Sequence, residues 1–185
     1  MSFKDNNALI LKEITMACDT VNEAQADLLV DAVLAAEKIF LIGVGRVKLS
    51  LEAFSKRLNH LGIKAFVVGD INEPAITEKD LLIVGSGSGE TVIPLSIARI
   101  AKRYNAKVAH IGSNPESSLK ELTDVFVRIP VKTKLNLPDE LNSEQIMSSL
   151  FEQTLYIVCD SVAMTIAGRK SLVIKDLWQY HANLE

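Results

Sequence analysis

The chain has 185 residues, 48% of them hydrophobic but only 5% aromatic, and carries a formal net charge of −3. That length fits one domain with a full-sized core, and the aliphatic bias favours helices packed on a Val/Ile/Leu sheet over an aromatic-rich β sandwich. Acidic and basic residues are interspersed, which excludes a basic stripe for nucleic acid and a disordered acidic arm.

Cys18 and Cys159 both fall in apolar helical patterns and read as buried free thiols of a reducing compartment, not as a disulfide or metal site. The polar start, Met-Ser-Phe-Lys-Asp-Asn-Asn, lacks the apolar core of a signal peptide. Charges such as Asp31, Glu37 and Lys38 interrupt the apolar stretches, so no membrane span is expected. A cytoplasmic protein follows.

In chain order, residues 6–17 place Leu9, Ile10, Ile14 and Ala17 on one face of a first helix. Asn22 caps a second, 23–36, with Leu28, Leu29, Ala32, Val33 and Ala36 inward. The first helix precedes any strand and is the better candidate for an oligomer contact. Residues 38–42 are the first strand, ending in the turn Gly43-Val44-Gly45-Arg46. A helix over 49–61 turns Leu51, Phe54, Leu58 and Leu61 inward and stops at Gly62. Strands follow at 65–68, 81–84, 108–111 and 125–129, with helices at 92–104 and 117–122 between the later ones. His110, near the end of its strand, reads as buried. A polar connector with two prolines, 130–142, leads to a long apolar helix over 144–167 closed by Gly168, and a last short helix spans 174–183.

This alternation specifies a three-layer α-β-α domain on a five-stranded parallel sheet, with helices on both faces. In the flavodoxin-like order 2-1-3-4-5 the ligand crevice opens between strands one and three, beyond their carboxyl ends. The Gly43–Arg46 turn and the stretch Gly85-Ser86-Gly87-Ser88-Gly89-Glu90-Thr91 then face each other across it. In the latter, three alternating glycines link a buried strand to a helix start, where free amides attract an anion. Ser86, Ser88 and Thr91 add hydroxyls. No lysine follows, so the nucleotide P-loop is excluded and a phosphate monoester suits the loop better. A ligand-free glycine turn is the alternative on the pattern alone. At Gly43–Arg46, Lys48 stands where a dinucleotide fingerprint needs its third glycine, although Asp70 has the place of a ribose-binding acid.

The Gly85–Thr91 loop resembles the phosphosugar-binding loop of the sugar isomerase (SIS) domain. Further stretches resemble one SIS family, the 6-phospho-3-hexuloisomerases of the ribulose monophosphate pathway. They include Gly43-Val44-Gly45-Arg46, Ala53-Phe54 through His60-Leu61-Gly62, Pro74-Ala75-Ile76, Ser149-Leu150-Phe151-Glu152-Gln153 and the closing His181-Ala182-Asn183-Leu184-Glu185. The similarity covers nearly the whole chain, and implies a single SIS domain over residues 1–185.

The resemblance implies interconversion of D-arabino-hex-3-ulose 6-phosphate and D-fructose 6-phosphate through an enediolate, with no cofactor and no metal. It assigns Glu152 as the proton-transferring base and His181 as an aid to ring opening or carbonyl polarisation. Arg46, Val47, Ser86, Gly87, Ser88, Gly89, Glu90 and Thr91 become substrate-binding residues. It also implies a homo-oligomer, a tetramer, whose partner is a phosphorylated ketohexose and neither nucleic acid nor membrane. Three positions depart from the family pattern. Val47 and Lys48 replace a Ser-Gly pair, leaving Val47 only its backbone N–H to offer, and Glu73 replaces a threonine. These changes leave open a related phosphoketose as substrate. A non-catalytic phosphosugar sensor is the rival reading, although no basic DNA-binding module precedes the domain.

Overall fold

The computed structural model describes residues 1–184; Glu185, the end of the resembling tail, lies outside them. Five parallel strands, β1 (Ile39–Ile42), β2 (Ala65–Val67), β3 (Leu81–Gly85), β4 (Lys107–Gly112) and β5 (Val125–Arg128), form one sheet in the order β2-β1-β3-β4-β5. The expected order and parallel sense both hold. Side-chain alternation along each strand sorts the core into two halves. Ile39, Leu41, Leu81, Ile83, Ala109, Ile111 and Val127 point to one face; Phe40, Ile42, Leu82, Val84 and Val108 point to the other.

The first face is covered by α2 (Glu23–Ala35), α3 (Gly45–His60) and α5 (Ser149–Arg169), and α1 (Phe3–Asp19) packs outside them on α5. The second is covered by α4 (Val92–Arg103) and by Leu119, beside a 3-10 turn at Lys120–Leu122. That turn is all that forms of the short helix expected over 117–122. Ser2 and Asp5 close a capping box on α1, and Asn22 caps α2 through the Gln25 amide at 3.2 Å. In α2 the inward face is Leu29, Val30, Ala32 and Val33; Leu28, expected inside, is 56% exposed.

Two helix starts differ from the sequence reading for identifiable reasons. α3 begins four residues earlier than Leu49, because Gly45, at φ 56°, leads straight from the β1 turn into the helix. α5 begins at Ser149, five residues later than Glu144. Met147 sits in the left-handed region at φ 53°, and the Ser143–Gln145 segment is held by Glu13 of α1 instead. That buried carboxylate accepts from Ser143 Oγ at 2.6 Å, Glu144 N at 2.9 Å and Gln145 Nε2 at 3.0 Å. Burial pushes its pKa up, but the three donors outweigh it and hold it below the usual range.

The far end of α5 passes through Gly168 without stopping, and Ser171, at φ 50°, makes the left-handed exit. α5 is also long and apolar enough to cross a membrane by length and composition, contrary to the expectation that charges break every such stretch. Its apolar stretch is 56% buried, as the central helix of this face. The last element is a 3-10 helix, Ile174–Tyr180, in place of the helix expected over 174–183.

Candidate active site

β1 and β3 end side by side, Ile42 opposite Val84, and each leaves the sheet in a glycine. The first turns of α3 rest directly on both exits. A Cβ on Gly43 would lie 3.1 Å from Val47 Cγ1 and 3.2 Å from Leu51 Cδ1; on Gly85 it would lie 2.8 Å from both. Val47 is therefore the wedge between the two turns. α3 has no side-chain cap at Val44, and its first intrahelical amide bond is Lys48 N to Val44 O at 3.4 Å. The amides of Arg46 and Val47 make no hydrogen bond among the described residues. Lys48 pairs with Glu52 along the helix surface at 3.5 Å.

Across the crevice, the loop Ser86–Thr91 folds on itself. Ser86 Oγ lies 2.9 Å from Thr91 Oγ1 and accepts from Gly89 N at 3.1 Å, while Ser88 Oγ accepts from Glu90 N at 3.3 Å. Ser86 and Ser88 are both buried. The Glu90 carboxylate turns away to Ser118, accepting from its Oγ and its N–H, each at 2.7 Å. Those two bonds hold its pKa below the usual carboxylate range. Thr91 opens α4 with no side-chain cap, and the amides of Gly87, Ser88, Val92 and Ile93 have no hydrogen bond among the described residues.

The third wall is the first turn of α5. Phe151 packs under the loop, 3.6 Å from where a Cβ on Gly87 would stand. Glu152, its neighbour, accepts from Arg46 Nε and, at 3.2 Å, from Ser148 Oγ. Ser50 Oγ donates to the Glu152 carbonyl at 3.1 Å, locking α3 to α5 at this level. A groove of about 370 Å³ runs beside the Arg46–Glu152 pair, lined also by Ile14, Leu49, Ser50 and Tyr156. A carboxylate and a guanidinium thus pair at the start of α3 and α5, and free amides open α3 and α4 at the ends of β1 and β3, the switch point where ligands bind in such folds.

His181 is not brought there within one chain. It stacks on His60 with ring centroids 5.2 Å apart and lies 5.2 Å from Trp178. Tyr180 covers Gly62, which ends α3 at φ 74°. His60 is the last residue of α3 and Arg46 its second, so the two histidines sit about 21 Å along the helix from Arg46.

Four residues outside the expected set shape the loop. His110 is buried, and burial pushes its pKa down to about 4 although the Ser86 carbonyl at 2.9 Å pulls it up. Glu140, in the connector read as merely polar, is a buried anchor. It accepts from Ser113 Oγ at 2.7 Å, Thr133 Oγ1 at 3.0 Å, Thr133 N at 3.1 Å and Leu137 N at 2.9 Å. Thr133 in turn floors the loop, its Cγ2 3.1 Å from a Cβ placed on Gly87. The His110–Ser86 and Ser113–Glu140 bonds join residues 24 and 27 apart, so no short spacing in the sequence marks them.

Fold and site together define a parallel α/β domain with a glycine loop of unpaired amides at its switch point. The SIS domain family matches residues 33–155. The chain is 38% identical over 178 residues to the 3-hexulose-6-phosphate isomerase of Bacillus subtilis (strain 168), with 96% of each chain covered. To the protein of the same name from Mycobacterium gastri it is 35% identical, over 98% of this chain and 90% of that one. It superposes with a TM-score of 0.82, at 31% identity and 98% and 99% coverage, on a hypothetical protein from Methanococcus jannaschii. That crystal structure was taken to infer the same molecular function. The chain belongs to the SIS domain family, in the group of the 3-hexulose-6-phosphate isomerases.

Proposed function

We propose that the chain is a sugar-phosphate isomerase that interconverts D-arabino-hex-3-ulose 6-phosphate and D-fructose 6-phosphate. One observation supports this beyond the relatives' names: the Glu152 carboxylate and the Arg46 guanidinium are paired where α3 and α5 start, next to the ends of β1 and β3. The loop and the α4 amides hold the phosphate. Glu152 takes the proton from C2 of the 3-ulose, and the C2–H electron pair becomes the C2=C3 bond of an enediolate. The same carboxylate returns the proton to C3, and the O2 hydroxyl proton passes to O3, so that O2 becomes the carbonyl and O3 the hydroxyl. Arg46 and the amides of Arg46 and Val47 face the charge that develops on those oxygens.

The whole chain acts as one SIS domain, in the cytoplasm, with neither nucleic acid nor membrane as partner. It works as a homo-oligomer, a tetramer. Support for this comes from Leu49 (61% exposed), Ile157 (43%) and Tyr156 (42%), apolar lining of the groove that one chain leaves uncovered. His181 serves the site of a second copy, since 21 Å of α3 separate it from its own. The test is proton NMR of the purified protein with hex-3-ulose 6-phosphate in D₂O. Fructose 6-phosphate carrying deuterium at C3 supports the reading; binding without turnover assigns the chain to the sensors instead.

A further inference from the structure

Three successive carbonyls of the glycine loop, those of residues 86–88, accept from one side, and Ser86 O also accepts from Gly89 N at 3.2 Å within the loop. Ser86 O lies 2.9 Å from His110 Nε2; Gly87 O accepts from Ser113 N at 2.9 Å and Asn114 N at 3.2 Å; Ser88 O accepts from Asn114 Nδ2 at 3.3 Å. The His110, Ser113 and Asn114 donors all belong to the end of β4 and the turn after it. In a planar trans peptide the N–H points opposite to the C=O. Drawing the carbonyls of residues 86 and 87 towards β4 therefore turns the N–H groups of Gly87 and Ser88 the other way. Both N–H groups lack a partner among the described residues. Successive amides aimed outward in this way form an anion-binding concavity, whereas a carbonyl rotated into it would repel the same anion.

His110 has the most constrained place in this arrangement. Its acceptor is a carbonyl, so the hydrogen is on Nε2 and the imidazole is the donor. By strand alternation it shares the face of Val108, below the loop that opens α4. Phe126 flanks its ring at 5.1 Å. Gly112 makes room for the bond itself: a Cβ there would lie 2.3 Å from His110 Nε2 and 2.5 Å from Ser86 O. A buried apolar side chain would fill this space without a donor, leaving the Ser86 carbonyl only the Gly89 N–H of its own loop, at 3.2 Å.

We propose that His110 is a positioning residue for phosphate binding. Its Nε2–H holds the Ser86 carbonyl back, and with Ser113 and Asn114 it fixes the outward aim of the loop amides. The inference rests on the phosphate-binding reading of the loop, but not on turnover.

Three variants test it: His110→Leu, which fills the space without a donor; His110→Gln, whose side-chain N–H reaches about as far as Nε2; and Asn114→Ala. Each is titrated with inorganic phosphate by ³¹P NMR and assayed with the phosphoketose, with folding checked by circular dichroism. His110→Leu is expected to weaken phosphate binding and raise KM roughly tenfold, the weight of one hydrogen bond, with kcat within about twofold. His110→Gln restores both to within about threefold of the parent. Asn114→Ala, which leaves the core intact, raises KM about threefold and carries the test if His110→Leu does not fold. Unchanged phosphate affinity in a folded His110→Leu, or in Asn114→Ala should that be the variant left, overturns the proposal. So does a folded His110→Gln that binds no better than His110→Leu, and so does a parent protein that binds no phosphate at millimolar concentration. A parent that binds phosphate but isomerises no phosphoketose leaves this inference standing and removes the isomerase reading alone.

Discussion

Replacing Glu152 by glutamine removes the proposed proton acceptor while changing almost no volume. The structural cost is bounded by exposure: the Arg46 side chain is 64% exposed and that of Glu152 only 12%, so solvent screens the pair from one side. Such a half-open ion pair contributes ~0–1 kcal/mol. The glutamine carbonyl still accepts from Ser148 Oγ, and the Ser50 bond to the backbone carbonyl is untouched. For a chain of this size, 1 kcal/mol corresponds to about 2–4 °C in Tm. Loss of a general base lowers kcat by ~10²–10⁴-fold, equivalent to about 3–5 kcal/mol of barrier. The chemical effect thus exceeds the structural one several-fold, and the two separate cleanly. Calorimetry fixes the first number and deuterium incorporation from D₂O, followed by NMR, fixes the second. A Glu152→Gln protein that exchanges the substrate's carbon-bound proton at the parent rate refutes the assignment.

Gly89→Ala is expected to destabilise the fold by ~1–3 kcal/mol, since φ is 68° there and the new Cβ would lie 2.2 Å from Ser117 Oγ and 2.3 Å from Ser117 Cβ; urea unfolding reads it. The buried imidazole of His110 makes stability depend on pH. Its folded pKa, about 4, lies below the unfolded value near 6.5, so the unfolded chain binds the proton first. The contribution is complete above pH ~6.5 and is lost as pH falls towards 4, by about 3 kcal/mol. His110→Gln should lose that much less stability than the parent between pH 7 and pH 4 in urea melts. Static light scattering should give a multiple of 20.3 kDa, and a monomer at micromolar concentration excludes the oligomer. Mixing inactive Glu152→Gln with a chain cut after Tyr180 should restore part of the activity if His181 serves a neighbour's site, and no recovery counts against a shared site.

The strands were legible because each is a short aliphatic run bounded by glycine, proline or charge, and they fall within a residue or two of their expected bounds. That the two glycine turns are neighbours was legible as well, since the strand order brings the ends of β1 and β3 together. What misled were backbone states that composition does not reveal. Gly45 reads as part of a turn but starts α3 at positive φ, and Met147 and Ser171 take left-handed conformations normally marked by glycine or asparagine. Gly168 reads as a stop and is helical. The support beneath the loop was illegible for a different reason. Glu140, Ser113 and Thr133 look like ordinary polar loop residues, and only the folded chain brings their side chains into one buried cluster. Glu13 likewise falls outside the apolar set of its helix, and its partners lie 130–132 residues away.

The two faces of the sheet are completed at different times as the chain leaves the ribosome. The face under α4 draws on residues from Phe40 to Leu122, and all of its parts exist once that residue has been added. The opposite face needs Leu150, Phe151, Leu155, Val158, Val162 and Ile166 of α5, the last of which arrives 44 residues after Leu122. At ordinary elongation rates that is on the order of 2–9 s. Through that interval Leu41, Ile83 and Ile111 lack their central cover, and the nascent domain presents an aliphatic strip to whatever is nearby. Synthesis halted between residues 122 and 149 would therefore leave a half-closed sheet prone to sticking, so α5 decides when the domain stops being adhesive.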